Sequence, residues 1–219
     1  MLFRDRHDAG KRLADALVDY RGRGDVIVLG LPRGGVIVAS EVARELNAPL
    51  DTIISRKIGA PGNPEYAIGA VAEQGPVLVD EQVLDLYQIS RRYVEDEAER
   101  QRREIKRRVE LYREGRSLPD LRNRTVILID DGIATGYTML AAIEAVKAMK
   151  PRELVVAVPV APPEVADQLR RTVDRLICLA TPEPFYAVGR WYVDFRQISD
   201  EEVKEHLRLG GAGRREREG

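Results

Sequence analysis

The sequence predicts an α/β protein with a doubly wound, mostly parallel sheet flanked by helices, and with a small hood and an inserted long helix attached to it. Two observations lead there. Apolar runs at residues 26–31, 126–129, 154–160 and 176–180 are too short for core helices and too continuous for strands with one wet face, so they read as strands buried on both sides. Between them lie segments whose apolar residues recur at helical spacing, and alternating strands and helices imply parallel pairing through right-handed crossovers.

A chain of 219 residues buries one sizeable core, so a single domain is expected over 1–209. Its core falls at about 26–180, a charged helical insertion at about 81–116 and a hood at about 181–198. A C-terminal helix follows at 200–209, and the polar, Gly-rich residues 210–219 are expected to form a disordered tail. A net charge of −1 and an aromatic content of 5% give neither a basic field nor stacking platforms for a nucleic-acid partner. No apolar run approaches the ~20 residues of a membrane span. Cys178 stands alone, which rules out an intramolecular disulfide and points to the reducing cytoplasm.

Taken in order, Ala9, Leu13, Ala16, Leu17 and Tyr20 mark an amphipathic helix over 8–20 with Asp8 as its N-cap. The strand 26–31 runs into Pro32-Arg33-Gly34-Gly35 and then into a helical pattern ending at Leu46. Gly34 and Gly35 let backbone N–H groups approach an anion at a helix start, and Arg33 adds a positive fork suited to phosphate. After a strand at 49–55, Arg56 and Lys57 lead into a Gly- and Pro-dense stretch that is expected to form a long surface loop over 56–65. Residues 67–72 and 77–80 read as a hairpin.

The segment 80–115 carries a narrow stripe of Val94, Ala98, Ile105, Val109 and Tyr112 among interleaved Glu and Arg, the pattern of a long, largely exposed helix. That stripe needs a partner, either the domain's own flank or a second copy in a homo-oligomer. Further on, 154–160 is a strand, 163–171 a helix and 176–180 the last core strand.

Residues 126–139, VILIDDGIATGYTM, concentrate the chemistry. Asp130 and Asp131 end a buried strand at the sheet edge where ligands bind, as exposed loop carboxylates able to hydrogen-bond sugar hydroxyls or meet a hydrated cation. Gly132, Thr135, Gly136 and Thr138 then precede a helix start, where free N–H groups make a phosphate cradle. The hood concentrates Phe185, Tyr186, Trp191, Tyr192 and Phe195 in a chain otherwise poor in aromatics. Their rings either cover a planar base or form a minicore that docks the C-terminal helix.

The string of apolar strand, acidic pair, small residues, Thr135, Gly136 and Thr138 resembles the phosphoribosyl pyrophosphate signature of the type I phosphoribosyltransferases. The upstream PRGG turn resembles that family's pyrophosphate loop, and the likeness spans about 26–198, interrupted by the charged helix. It implies transfer of ribose 5-phosphate from phosphoribosyl pyrophosphate to a small nitrogenous acceptor, with Mg²⁺ as cofactor. Asp130 and Asp131 would hold the ribose hydroxyls and reach the metal through them or through water, while Ala134, Thr135, Gly136, Tyr137 and Thr138 would wrap the 5′-phosphate.

By the same resemblance Arg33, Gly34 and Gly35 take the pyrophosphate, and a mobile loop brings Arg56 and Lys57 over it. Tyr186, Ala187 and Val188 lie over the base, with Asp194 as a further base contact. Two departures stand out. Position 134 is Ala, where the 6-oxopurine enzymes carry an Asp that acts on the base, so the loop is closer to the adenine and uracil enzymes; Tyr137 replaces a small or basic residue. A rival reading is a non-catalytic sensor of the same fold. The basic cluster around Arg102 and Arg107 and the missing base at 134 favour it; the mobile loop and hood favour an enzyme.

Overall fold

In the computed structural model, which describes residues 2–215 and side chains through residue 210, the central strand is β6 (Thr125–Ile129), buried along its whole length. It pairs in parallel with β1 (Val26–Gly30) on one side and β7 (Glu153–Val160) on the other. Beyond them lie β2 (Leu50–Thr52) and β8 (Arg175–Ala180), both parallel, giving the order β2-β1-β6-β7-β8. From β1 the chain winds outward one way and from β6 the other, so the switch in winding direction falls between these two strands. Crevices for ligands open at the carboxyl ends of strands at such a point.

Alternate side chains of each strand enter opposite core layers, which explains the unbroken apolar runs. Val26, Val28, Ile127 and Ile129 pack against α1 (Arg6–Ala16) and α2 (Gly34–Leu46). Ile27, Leu29, Val126 and Leu128 pack against α5 (Tyr137–Ala148) and α6 (Pro163–Arg170). Helix α1 begins earlier than expected and stops at Ala16: its cap is Asp5, whose carboxylate accepts the Asp8 N–H at 2.8 Å. That shift places Arg6 in the first turn.

A second, antiparallel sheet of β3 (Ser55–Ala60), β4 (Asn63–Ala72) and β5 (Leu78–Val79) replaces the expected long loop. Residues 56–65 are a β-hairpin with Ala60 opposite Asn63, because Pro61 and Gly62 (φ 73°) make a two-residue turn instead of breaking the chain. Gly59 has a packing role as well: a Cβ there would sit 2.6 Å from Pro64. The expected hairpin of the next segment is present as β4 and β5.

The charged insertion is two helices, α3 (Glu81–Leu86) and α4 (Arg91–Arg113), separated where Gln88 turns to φ 50° and Ser90 caps α4. The stripe finds its partners within the chain. Val94 and Ala98 pack on Ile58 and Ile68 of the second sheet, and Ile105 and Tyr112 join the main core. The arginines of the basic cluster stay exposed and pair along the helix with Glu97, Glu99 and Glu104, as for Arg100, Arg103 and Arg107.

Helix α7 (Asp200–Arg215) also runs past its expected end at 209. Gly210 is a packing residue there, since a Cβ would lie 2.6 Å from the Leu50 Cβ, so the expected tail is helical up to 215 and residues 216–219 lie outside the described ones. No described helix is long and apolar enough to cross a membrane.

At the end of α4, Arg113 is 2% exposed and ties the two sheets together. It donates to both Glu73 carboxylate oxygens at 2.6 Å, to Asp51 at 3.2 Å and to the Thr52 carbonyl. Removing the guanidinium strands Glu73 and Asp51 in a buried pocket, and Asp51 is already pushed above the usual carboxylate range by burial. Arg113→Ala should cost about 3–5 kcal/mol of stability in urea denaturation at neutral pH. A loss under about 1 kcal/mol would show that the ion cluster is replaceable by water.

Candidate active site

The crevice is built by the chain leaving β1 and the chain leaving β6. A Cβ at residue 35 would lie 2.8 Å from both the Cα and Oδ1 of Asp130, and one at residue 34 would lie 1.9 Å from Oδ2 of Asp131. Only glycine at both positions lets the first turn of α2 rest against the acidic pair. The peptide between Pro32 and Arg33 is cis. The Arg33 side chain is exposed, and among the described residues it enters no ion pair.

Asp130 and Asp131 are set into the crevice, in contrast to the exposed loop carboxylates expected. Oδ1 of Asp130 accepts the Asp131 N–H at 2.8 Å. Oδ2 of Asp131 accepts from Nε of Arg6 at 2.7 Å, with side chains 15% and 9% exposed, and its carbonyl accepts the Tyr192 hydroxyl at 2.6 Å. Burial, and then the neighbouring Asp131 charge, hold the Asp130 carboxyl well above the ordinary range. Burial also raises Asp131, but Arg6 opposes it. Sequence pattern singles out neither Arg6 nor Tyr192 for the site. The first sits in a charged N-terminal stretch that reads as solvated, and the second in an aromatic cluster.

Beyond the pair, Ala134 and Thr135 are exposed and Thr138 is half-buried. Gly136 caps α5 at φ 83° with no side-chain cap bond, so first-turn N–H groups of α5 are left toward the loop. Gly132 leaves room for the hood, since a Cβ there would fall 2.4 Å from Cγ1 of Val188. Tyr137 is engaged elsewhere: its hydroxyl donates to Asp80 at 2.6 Å, and Asp80 is also the cap of α3. The side chain therefore joins the loop to the insertion.

The hairpin separates its two cations. Adjacent strand residues point to opposite faces. Arg56 turns to α4, where Nε donates to Gln101 at 2.8 Å, and burial lowers its pKa. Lys57 is on the other face and pairs with Glu65 of β4 at 2.7 Å.

In the hood, Val188 alone of the expected base contacts reaches the loop. Tyr186 is 73% exposed with Arg190 5.4 Å from its ring, and Asp194 is exposed and accepts the Arg196 N–H at 3.1 Å. Trp191, Tyr192 and Phe195 form a minicore with Phe3, which docks the N-terminal segment in place of the C-terminal helix. Among the described residues no group of three His, Cys, Asp or Glu is placed to hold a metal ion.

Paired carboxylates beside an uncapped helix start, facing a glycine-tight turn that carries an exposed arginine, define a crevice suited to a phosphorylated sugar. Residues 4–195 match the family model of the phosphoribosyl transferase domain, and the chain belongs to that family. It is 43% identical over 206 residues to a Mycobacterium tuberculosis H37Rv protein provisionally named phosphoribosyl transferase Rv0571c, covering 94% of this chain and 46% of that one. The same figures hold for the CDC 1551 counterpart MT0597, so the chain spans about half the length of these curated relatives. The crystal structure of TT1426 from Thermus thermophilus is 46% identical and superposes with a TM-score of 0.78, over 94% of this chain and 98% of that one.

The raised pKa of Asp130 has a sign that can be tested. Its folded state holds a proton more readily than the unfolded chain, so stability is lost as pH rises from the usual carboxylate range through the raised value. Asp130→Asn keeps an oxygen to accept the Asp131 N–H and removes the repulsion, so it should raise Tm progressively as pH rises above the usual carboxylate range, by about 2–4 °C per kcal/mol regained. The gain should vanish below about pH 4. Calorimetric scans across pH check this, and a Tm of the variant that falls further below wild type as pH rises would show that the charge stabilises the fold.

Proposed function

We propose that the protein transfers the ribose 5-phosphate unit of phosphoribosyl pyrophosphate to a nitrogen of a nucleobase-like acceptor and releases pyrophosphate. The observation that carries this reading is the acidic pair and the uncapped start of α5 in one crevice, in a chain of the phosphoribosyl transferase domain family. The first-turn N–H groups of α5, with Thr135 and Thr138, bind the 5′-phosphate, and Asp130 and Asp131 bind the ribose hydroxyls. Arg33, Gly34 and Gly35 take the pyrophosphate. As the C1–oxygen bond breaks, charge grows on the leaving group, and Arg33 and Lys57 meet it there. Holding acceptor and C1 in line supplies the rest, with no covalent nucleophile.

Two carboxylates without a third ligand fit a magnesium ion carried in by phosphates, because Mg²⁺ keeps most of its waters and few protein ligands. Asp130 and Asp131 would hold it through water or the ribose hydroxyls, and it would neutralise pyrophosphate charge. The lone, half-buried Cys178 suits a cytoplasmic setting. A sensor without turnover is the second reading. It is favoured by the exposure of Tyr186 and Asp194, which leaves no acceptor clamp preformed.

One assay separates the two: pyrophosphate release from phosphoribosyl pyrophosphate and Mg²⁺ over a panel of purine and pyrimidine bases. Ala134 offers no carboxylate to a base nitrogen, so hypoxanthine and guanine should be poorer acceptors than adenine by about 1.5–3 kcal/mol in kcat/KM. Equal or better turnover of the 6-oxopurines would remove the role given to position 134. Binding without release for any base would establish the sensor.

In the same assay Lys57→Ala should lower kcat more than it raises KM, because the lysine meets charge that is greatest in the transition state. An unchanged kcat would place Lys57 outside the reaction.

A further inference from the structure

We infer that Arg6, from the first turn of α1, is a positioning residue for the ribose carboxylate Asp131, an inference that rests on the proposed function. The guanidinium is held on three sides: Nε faces Oδ2 of Asp131 at 2.7 Å, Nη1 donates to the Arg196 carbonyl at 2.9 Å, and the Phe195 ring lies 4.0 Å from Cζ. Each contact uses a different part of the group, which fixes both its place and its plane. With Oδ2 fixed by Arg6 and the Asp131 carbonyl fixed by Tyr192, the residue is anchored at both ends and its carboxylate is held in one orientation for a ligand hydroxyl.

A buried ion pair is often replaceable by apolar groups without loss, so a charged clamp at the crevice wall is better explained by what it orients. The pyrophosphate turn is shaped to admit it. A Cβ at residue 34 would come 1.9 Å from Oδ2 of Asp131 and 2.6 Å from Nε of Arg6, so the glycine makes room for the ion pair as a unit. The N-terminal helix thereby becomes part of the ribose site, although it lies 125 residues from the carboxylate.

The test is titration calorimetry on the full chain with three probes: phosphoribosyl pyrophosphate with Mg²⁺, ribose 5-phosphate, and inorganic pyrophosphate with Mg²⁺. Arg6→Gln should weaken the two ribose-containing probes roughly ten- to hundredfold and leave pyrophosphate within about twofold. Arg6→Lys should recover part of the loss. Tyr192→Phe, which releases the Asp131 carbonyl while keeping the ring, should show the same preference at roughly two- to fivefold. These two variants carry the test if Arg6→Gln does not fold. Equal loss for pyrophosphate, or wild-type affinity for ribose 5-phosphate in the Arg6 variants, overturns the positioning role. Wild-type protein that binds none of the probes overturns the functional reading and this inference with it; wild-type binding beside unchanged variants overturns this inference alone.

Discussion

Helix α2 meets the end of β6 only because residues 34 and 35 have no side chains. With a Cβ site 2.8 Å from Asp130 and another 1.9 Å from Asp131, that contact is tighter than any other residue type allows. From it follow the depth of the crevice, the closeness of the glycine turn to the acidic pair, and the room for Arg6. The sheet sets the frame, since β1 and β6 are neighbours across the switch in winding direction and their trailing loops must converge. The glycines then decide how closely. A short side chain at either position would leave the sheet intact and push the carboxylates out of place.

That closeness has an electrostatic cost. Burial raises the proton affinity of both carboxylates, the charge of Asp131 raises that of Asp130 further, and the protein opposes this through Arg6 and the Asp131 N–H. Residual repulsion of this kind is expected where a site is built for ligand and not for stability; on the proposed function, hydroxyl donors and a cation would complete it on binding. The same logic explains α5. Its N-terminus has no side-chain cap, and on the proposed function a cap residue at Gly136 would fill the place a phosphate would take.

The sheet and the phosphate loop are legible in the sequence because each rests on local pattern: unbroken apolar runs for strands buried on both faces, and an acidic pair with glycines before a helical period. What is not legible depends on distant contacts. Arg6 acquires its meaning from Asp131, Phe195 and Arg196, and nothing in residues 2–8 distinguishes it from a solvated charge. Residues 56–65 mislead because Pro and Gly both end strands and make the turns that join them; only the pairing of Ala60 with Asn63 decides which. Gly210 resembles a terminator until Leu50 is found against it. Tyr137, placed beside the phosphate by its position in the motif, turns out to bond Asp80.

On the proposed function, the hairpin changes how Arg56 and Lys57 would meet the leaving group. A loose loop would bring Arg56 and Lys57 to the pyrophosphate together, whereas a β-strand sends them to opposite faces, and Arg56 is anchored on α4 through Gln101. Lys57 alone of the two remains disposable. Its partner Glu65 lies across the hairpin and is exposed, and an exposed pair of this kind is screened by water and weak, so it gives way readily to a multiply charged anion. The base of the hairpin is secured very differently, through the buried contacts of Arg113 with Glu73 and Asp51 and the Glu73 carboxylate on the Ile54 N–H. A firm base with a weakly held cation nearer the turn favours exchange of Lys57 from Glu65 to ligand by side-chain rotation or by a tilt of the strand pair as a unit. Refolding of residues 56–65 is the costlier route, because it would break the ladder between β3 and β4.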